Sequence, residues 1–461
     1  MSNSLKIKIM NKIISTINFI TLSIYGYAQT NPAITSWLQN NTIIGRHYVS
    51  GNSTPINDNV LANVQTVQYS ANSAYVSTKG IPAYVTGPFL DGNPSQASNQ
   101  NAIFKFPLNP QQNTGTLTAT TGGNIGVFIN GVALFDYRDG VSWKNSTNAL
   151  AGGPLGGTGD GVWNRDAVVG ERLGFDCSKG HPAMGNYHHH QNPSAYNLDL
   201  NVISTVCNLY AADGLYAIDS TQHSPLIGYA YDGFPIYGAY AYKNVDGTGG
   251  ITRMKSGFTL RNITVRNTLY TGTSVTAGPA VSSTYPLGYF REDYQYNATS
   301  SATPDYLDIH NGRFCVTPEY PNGIYCYFAT VDQKWNSAYP YVVGPTFYGV
   351  KTAQKITSIT ETVTTYTPNT VGVETVIFNE NSVMVLPNPA SDLIAIQLKG
   401  INKETIEIEL IDQTGKLILY TEILPGTTIG YLSTESIYEG TYHLRLKNKT
   451  KEWTSKIIIQ H

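Results

Sequence analysis

Charged side chains are scarce in this sequence. Asp, Glu, Lys and Arg make up 13% of the 461 residues, about half of the roughly 25% found in ordinary soluble domains. The formal net charge is −2 and no basic block interrupts the chain, so electrostatics give no reason to expect a nucleic acid as partner. After residue 28 no segment is apolar over about 18 consecutive residues, the length that a membrane-spanning helix requires. We therefore predict no integral membrane span.

Tyrosine, glycine and proline are abundant, with 33, 43 and 23 residues. The hydrophobic share of 41% is too high for a disordered chain. Short extended runs separated by Gly, Asn and Pro fill residues 29–350, and residues 126–135 form a clear hairpin around Asn130-Gly131. This pattern predicts an all-β protein whose body is a β-sandwich or barrel-like fold.

The N-terminus has the three regions of a secretory signal peptide. Lys6, Lys8 and Lys12 precede an apolar stretch at residues 13–24, and small residues then stand at positions −3 and −1 before Gln29. The apolar stretch is too short to span a bilayer comfortably. We predict a signal peptide at residues 1–28 and export of the chain.

Four cysteines follow that segment, an even number that suggests two disulfides in an exported protein. Three connectivities are possible. Cys315 and Cys326 flank a turn signal at residues 321–323, which makes a bridge across a hairpin plausible. That bridge would leave Cys177 to pair with Cys207.

The composition divides the chain after the signal peptide into three parts. The β-rich body covers residues 29–350. Residues 351–381 are rich in Thr and poor in large apolar groups, so we interpret them as a strand-prone linker. Residues 382–461 are more densely charged and form a separately built module.

This last module alternates apolar and mostly polar residues at 394–399, 406–411 and 442–447. A turn sequence, Asp-Gln-Thr-Gly-Lys at 412–416, follows the second run. Several short strands of period two predict a small Ig-like β-sandwich with one solvated face.

The module resembles the C-terminal sorting domain of substrates of the type IX secretion system. The matching features are Leu386-Pro-Asn-Pro-Ala-Ser-Asp392, the turn Asp412…Gly415-Lys416, the segment Leu432…Glu439-Gly440-Thr-Tyr442 and a final strand after Lys456. The resemblance implies that the type IX machinery is a partner. It also implies passage from the periplasm across the outer membrane of a Gram-negative cell, with release or surface anchoring. A generic Ig-like adhesion module is the alternative.

Histidines cluster in the body. Of nine in the chain, five lie within residues 181–223: His181, His188, His189, His190 and His223. Residues i and i+2 of a strand share a face, so His188 and His190 point the same way and His189 points away. His181 can fold back across the turn at residues 182–185, and His223 is a further candidate. We predict that His181, His188, His190 and His223 bind a metal ion.

Imidazole ligands favour Cu or Zn over Mg. Three acidic residues, Glu171, Asp176 and Asp232, could add a carboxylate ligand or orient an imidazole. Asp232 could equally belong to a buried turn, and the His strand could instead be packed against aromatic rings. A glycine-rich loop at residues 156–161 makes Ca possible. We expect hydrogen bonding or surface exposure for His189, and structural roles for His47 and His310.

The body resembles the YHYH-domain family of exported proteins, named for a Tyr-His-Tyr-His tetrad. The matching blocks lie between about residues 80 and 350: Gly131-Val-Ala-Leu-Phe135, Trp163-Asn-Arg-Asp-Ala167, Gly174-Phe-Asp-Cys-Ser-Lys-Gly-His-Pro182, Tyr187-His-His-His190, residues 223–238, residues 307–321 and residues 341–349. The third tetrad position is His189 rather than Tyr. The resemblance implies a named domain and an export route, and no particular reaction.

A later segment of the body echoes the His-rich one. Residues 177–188 align without gaps on residues 315–326, with Cys, Gly and Tyr at the same offsets. In this alignment His181 matches Glu319 and His190 matches Phe328. We predict two related hairpins.

These observations favour a secreted or surface-anchored metal-binding protein. Two other functions stay open. A metal ion with a free coordination position would support a metal-dependent hydrolase or, with copper, an oxidoreductase. The many Tyr and Trp side chains would instead suit a surface module that binds glycans or protein partners.

Overall fold

The structure is a computed structural model that describes residues 31–91, 95–196, 206–210, 212–298, 303–368, 383–399, 402, 404–425, 427–448 and 451–461. The predicted signal peptide and its cleavage site lie outside these residues. No helix in the described ranges is long and apolar enough to cross a bilayer.

The regular secondary structure of the body is almost entirely short strands, which turns and irregular segments connect, as its turn-rich sequence predicts. Its described α-helices are α1 (Pro32–Thr35) and α2 (Ala167–Gly170). Its strands are β1 (Ile44–Val49), β2 (Asn52–Leu61), β3 (Val64–Tyr69), β4 (Ser73–Thr78), β5 (Ala102–Pro107), β6 (Asn124–Phe128), β7 (Ala133–Phe135), β8 (Arg138–Lys144), β9 (Ala149–Gly152), β10 (Asn164–Asp166), β11 (His181–Ala183), β12 (Asn186–His189), β13 (Leu226–Ala230), β14 (Pro235–Tyr237), β15 (Tyr240–Tyr242), β16 (Ile251–Arg253), β17 (Phe258–Leu260), β18 (Tyr294–Tyr296), β19 (Gly312–Cys315), β20 (Ile324–Phe328), β21 (Gln354–Ile356) and β22 (Thr364–Tyr366).

Two sheets form the main core of the body. One has five strands in the order β21-β5-β4-β3-β22, and the other has eight in the order β11-β12-β7-β6-β13-β14-β20-β19. Phe106 of the first sheet packs on Tyr229 of the second with ring centroids 6.0 Å apart, and both side chains belong to one buried apolar cluster. The predicted all-β fold with a sandwich-like body is confirmed.

The Thr-rich segment contributes to this sandwich. β21 pairs with β5, and β22 pairs with β3. Thr is β-branched and suits extended backbone, so the segment adds both outer strands of the five-stranded sheet. Strand pairing with the body therefore continues to Tyr366, and residues 369–382 lie outside the described part of the chain.

The C-terminal module is a second sandwich. Its strands are β23 (Val383–Leu386), β24 (Leu393–Leu398), β25 (Ile406–Ile411), β26 (Leu417–Ile423), β27 (Ile429–Ser433), β28 (Gly440–Lys447) and β29 (Glu452–Ile459). A sheet ordered β23-β24-β27 faces one ordered β26-β25-β28-β29. Alternate residues of β28, such as Leu444 and Leu446, enter a separate apolar core, as the period of two predicts.

One of the two predicted disulfides is present. Cys177 is bonded to Cys207, whereas Cys315 and Cys326 are buried free thiols. The prediction of a second bridge is therefore wrong for this structure. In the strand register, Cys315 pairs with Ile324 and Cys326 pairs with Arg313. The two cysteines are diagonal neighbours rather than directly opposite residues.

A hairpin closes each edge of the eight-stranded sheet. β11 and β12 form one, β19 and β20 form the other, and β11 and β19 are the outermost strands. Pro182 lies in the middle of β11. At the opposite edge, the guanidinium of Arg313 donates hydrogen bonds to the backbone carbonyls of Lys243, Pro304 and Tyr242.

Candidate metal centre

The hairpin β11–β12 sets three histidines beside one another. Met184 and Gly185 form its two-residue turn with φ values of 48° and 84°, in the left-handed region that a tight hairpin turn requires. The turn places His181 directly opposite His188. His190 follows on the same side as His188, as the period of two predicts.

The three imidazoles converge through their Nε2 atoms. The Nε2 atom of His190 lies 3.1 Å from that of His188 and 3.4 Å from that of His181. All three side chains are buried. Each of the three offers one ligand atom, and these atoms all lie within 4.8 Å of one another. In the described part of the chain, this is the group of His, Cys, Asp or Glu side chains that could hold a metal ion.

Backbone carbonyls fix the orientation of two of these rings. The Nδ1 atom of His188 donates to the carbonyl of Asn186 at 2.8 Å, and that of His190 donates to the carbonyl of Asp136 at 2.6 Å. Because a neutral imidazole carries one N–H, these bonds leave the Nε2 lone pairs free. This is the tautomer in which a histidine binds a metal ion.

Glu171 places a carboxylate oxygen beside two of the three imidazoles. It follows α2, and its Oε2 atom lies 3.2 Å from Nε2 of His181 and 3.2 Å from Nε2 of His190. Burial raises the pKa of Glu171, but the contacts of its carboxylate with His181 and His190 outweigh that effect and hold the pKa well below its usual range. Glu171 is the most exposed of the three paired side chains, at 18% against 7% for His181 and 2% for His190.

Aromatic rings wall the cluster. Phe135 stacks on His188 with centroids 3.8 Å apart and an interplanar angle of 17°. Phe175 meets His181 edge-on at 4.9 Å. Burial, followed by the nearby imidazoles, lowers the pKa of His188 well below its usual value. His188 is therefore neutral at pH 7 and can donate its lone pair.

The model of the YHYH protein family matches residues 103–340, more than half of the chain and all of the strands that carry the three histidines. The chain belongs to the YHYH family. A second model, the secretion system C-terminal sorting domain, matches residues 384–460. The YHYH domain is therefore secreted or delivered to the outer surface, and the type IX system handles it. No curated protein matches the sequence.

The third tetrad position of this YHYH domain lies on the opposite side of β12 from the cluster. The Nε2 atom of His189 is hydrogen-bonded to the hydroxyl of Tyr84 at 2.8 Å. Burial lowers the pKa of His189 to about 3. His189 is thus a neutral hydrogen-bonded core residue. Of the two expected roles, hydrogen bonding is present and surface exposure is not.

His223 is not part of this cluster. Its Nδ1 atom donates to the carbonyl of Ser224 at 2.8 Å, and its ring contacts Tyr237 and Tyr242. Burial lowers the pKa of His223 to about 4. The sequence places His223 near the other histidines along the chain, but it precedes β13 in another part of the sheet.

Two of the three candidate carboxylates have structural partners instead. Asp232 accepts hydrogen bonds from the hydroxyl of Tyr327 and the backbone amide of Gly349, which agrees with a buried turn. Asp176 accepts from the hydroxyl of Tyr187. In the glycine-rich loop, Asp160 accepts two hydrogen bonds from Asn145.

The carbonyl groups that orient the imidazoles could not be found from the sequence. Every residue carries a backbone carbonyl, so Asp136 and Asn186 give no residue-type signal for this role. Glu171 does carry a signal, because it lies ten residues before His181 and is acidic. The sequence alone does not distinguish it from Asp176 or Asp232.

Proposed function

We propose that this YHYH protein is an exported zinc-binding protein. The ligands are His181, His188 and His190 through Nε2 and Glu171 through Oε2. One observation carries the proposal: ligand nitrogens of three buried histidines lie within 4.8 Å of one another, and a carboxylate oxygen of Glu171 lies 3.2 Å from Nε2 of two of them.

The distances support this assignment. Zinc bonds of about 2.0–2.1 Å in a tetrahedron place neighbouring donor atoms about 3.3–3.4 Å apart. Four of the six donor–donor separations are close to this value: 3.1 and 3.4 Å between nitrogens and 3.2 and 3.2 Å between nitrogen and oxygen. Rings that merely pack against one another have no need to bring Nε2 of His190 this close to two other imidazole nitrogens and a carboxylate oxygen.

The chemistry of the donors favours zinc over the alternatives. Three nitrogens and one oxygen are too few oxygens for Mg or Ca, and Cu(II) prefers a tetragonal arrangement. With Glu171 as fourth ligand the protein would supply all four donors of a tetrahedral zinc ion, which is typical of sites that hold a metal rather than sites that keep a position open for catalysis. We therefore favour metal binding over a metal-dependent hydrolase or oxidase.

The compartment fits an imidazole–carboxylate site. The chain would enter the periplasm by its signal peptide, cross the outer membrane through the type IX machinery, and hold its ion outside the cell. A His/Glu site contains no thiolate and resists oxidation there. The deepest part of the site is the pair His188 and His190, so zinc would enter from the side of Glu171.

Metal content by mass spectrometry tests the proposal. Untagged full-length protein collected from its native export route should contain close to one zinc per chain. Replacing His188→Ala and His190→Ala together should abolish it, because two of four ligands are lost. Glu171→Gln should weaken zinc binding by about tenfold or more, since one charged ligand is lost.

His223→Ala is the matched control. It also removes an imidazole, a half-buried one outside the cluster, so zinc should stay near one per chain. A wild-type protein free of metal after loading and dialysis would overturn the proposal. Stoichiometric copper in place of zinc would overturn the choice of metal while leaving the ligand set intact.

A further inference from the structure

The eight-stranded sheet consists of two copies of one unit. Residues 125–136 align without gaps on residues 227–238, which places Asn130-Gly131 on Asp232-Gly233. The turn hydrogen bonds agree: the amide of Phe128 bonds to the carbonyl of Val132, and the amide of Ala230 bonds to that of Phe234. The hairpins β6–β7 and β13–β14 are therefore equivalent.

A pseudo-twofold axis relates the two copies. Val127 pairs with its own equivalent, Tyr229, at the centre of the sheet. Outward from this pair, β6, β7, β12 and β11 correspond to β13, β14, β20 and β19. The pairing directions agree, because β12 runs parallel to β7 and β20 runs parallel to β14. Each unit thus ends in the outer hairpin β11–β12 or β19–β20.

The structures of the outer hairpins disagree in part with the gapless alignment of residues 177–188 with residues 315–326. The turn of the first hairpin is Met184-Gly185, whereas residues 316–323 connect the strands of the second. In the strand register, His181 lies opposite His188 and Arg313 lies opposite Cys326. His181 is therefore equivalent to Arg313. The matches of residues 187–190 with 325–328 hold, but the match of His181 with Glu319 is wrong because the second loop is longer.

The loops that lead into the outer hairpins have the same hydrogen bonds. In the first copy, Oδ1 of Asp176 accepts from the amides of Ser178 and Gly180 at 2.9 and 3.0 Å. The hydroxyl of Tyr187 donates to Oδ2 of the same carboxylate at 2.9 Å. The residue before Gly180, Lys179, has a φ of 63°.

The second copy repeats this loop around Asp308. Its Oδ1 accepts from the amides of His310 and Gly312 at 2.9 and 3.2 Å, and the hydroxyl of Tyr325 donates to it at 2.9 Å. Asn311, before Gly312, has a φ of 65°. Each carboxylate thus ties the start of an outer hairpin to the tyrosine on its second strand.

The copies differ in what these hairpins present. The first presents imidazoles. At the equivalent positions the second has Arg313, Cys326 and Phe328, and the Arg313 guanidinium lies 5.8 Å from the centroid of the Phe328 ring. In the second copy, the positively charged Arg313 therefore occupies the strand position of His181 in the first copy.

We propose that Asp176 is the positioning residue of the zinc centre, a role that rests on the proposed function. It touches no ligand atom of the cluster. It holds the strand start at Gly180 against Tyr187, and so keeps His181 opposite His188 at ligand distance. Both copies of the unit contain this carboxylate–tyrosine contact, but only the first copy carries the proposed metal ligands.

The two copies provide a matched experiment. Asp176→Asn and Asp308→Asn replace equivalent carboxylates with an amide that cannot accept all the same hydrogen bonds. Zinc affinity is measured in the full-length protein by competition with a chromophoric chelator, and Tm is measured alongside. Asp176→Asn should weaken zinc binding by about 10–100-fold. Asp308→Asn should leave zinc affinity within about twofold while lowering Tm comparably.

The visible spectrum of the cobalt-substituted protein gives a readout that stability alone would not move. Its ligand-field bands should shift in Asp176→Asn and stay unchanged in Asp308→Asn. Tyr187→Phe and Tyr325→Phe form a milder pair in case the first variants do not fold, with the same expected contrast. Equal losses of zinc affinity in both members of a pair, or none in either, would overturn the role of Asp176. Failure of the wild-type protein to bind zinc would instead overturn the proposed function.

Discussion

Removing zinc with a chelator should lower the free energy of unfolding of the body by about 4 kcal/mol when free zinc was previously held near 1,000 times its Kd. The physical reason is linkage. The folded body brings His181, His188, His190 and Glu171 together, whereas the unfolded chain separates them, so the ion stabilises the folded state. Denaturant unfolding at fixed free zinc, with and without chelator, measures this difference.

The double variant His188→Ala/His190→Ala serves as the control for that experiment. Its free energy of unfolding should be the same with and without chelator, because it has too few ligands left to bind zinc. If wild-type protein unfolds at the same denaturant concentration with and without chelator, the cluster does not hold a metal ion.

Replacing Arg266→Ala should cost about 3–5 kcal/mol of stability, since it leaves a buried charge without its partner. Arg266 and Asp293 are fully buried, and Nε of Arg266 donates to Oδ1 of Asp293 at 2.7 Å. The guanidinium also donates to the carbonyls of Pro279, Tyr285 and Pro286. Thermal or denaturant unfolding measures the loss.

Lys105→Ala is the comparison variant. Lys105 forms an ion pair with Glu361 in which the side chains are 38% and 41% exposed, and such pairs contribute about 0–1 kcal/mol. Similar losses for Arg266→Ala and Lys105→Ala would show that burial of the Arg266–Asp293 pair does not control its contribution.

Arg266→Ala should also weaken zinc binding indirectly, through the position of Glu171. The segment that Arg266 holds includes Tyr289, whose carbonyl accepts the amide of Asp166. Asp166 then caps α2 through the amide of Val168, and Glu171 follows that helix. A loosened segment would leave the carboxylate of Glu171 less well placed.

The parts of the site that could be predicted from the sequence depend on local geometry. The period of two in a strand places His188 and His190 on one side and His189 on the other. A turn-forming segment allows His181 to fold back, and the structure confirms that the segment turns at Met184-Gly185. These are interactions between residues within ten positions of one another.

The parts that could not be predicted depend on tertiary structure. His223 is close to the cluster in sequence, but it belongs to the second copy of the duplicated unit. Cys315 and Cys326 flank a turn signal, yet the register sets them on the diagonal. Glu171 reaches the cluster from the end of α2, which packs on β8 and β10, and no pattern in the sequence encodes that approach.

The two edges of the eight-stranded sheet also bear on how the protein behaves when it is concentrated at a cell surface. An open edge strand offers unpaired amides and carbonyls to any neighbouring chain. Pro182 removes an amide from the middle of β11, and a proline at an edge discourages strand addition. Beside β19, the Arg313 guanidinium ties carbonyls of neighbouring segments to the sheet. At the β11 edge, Pro182 therefore leaves a neighbouring chain one fewer amide to pair with.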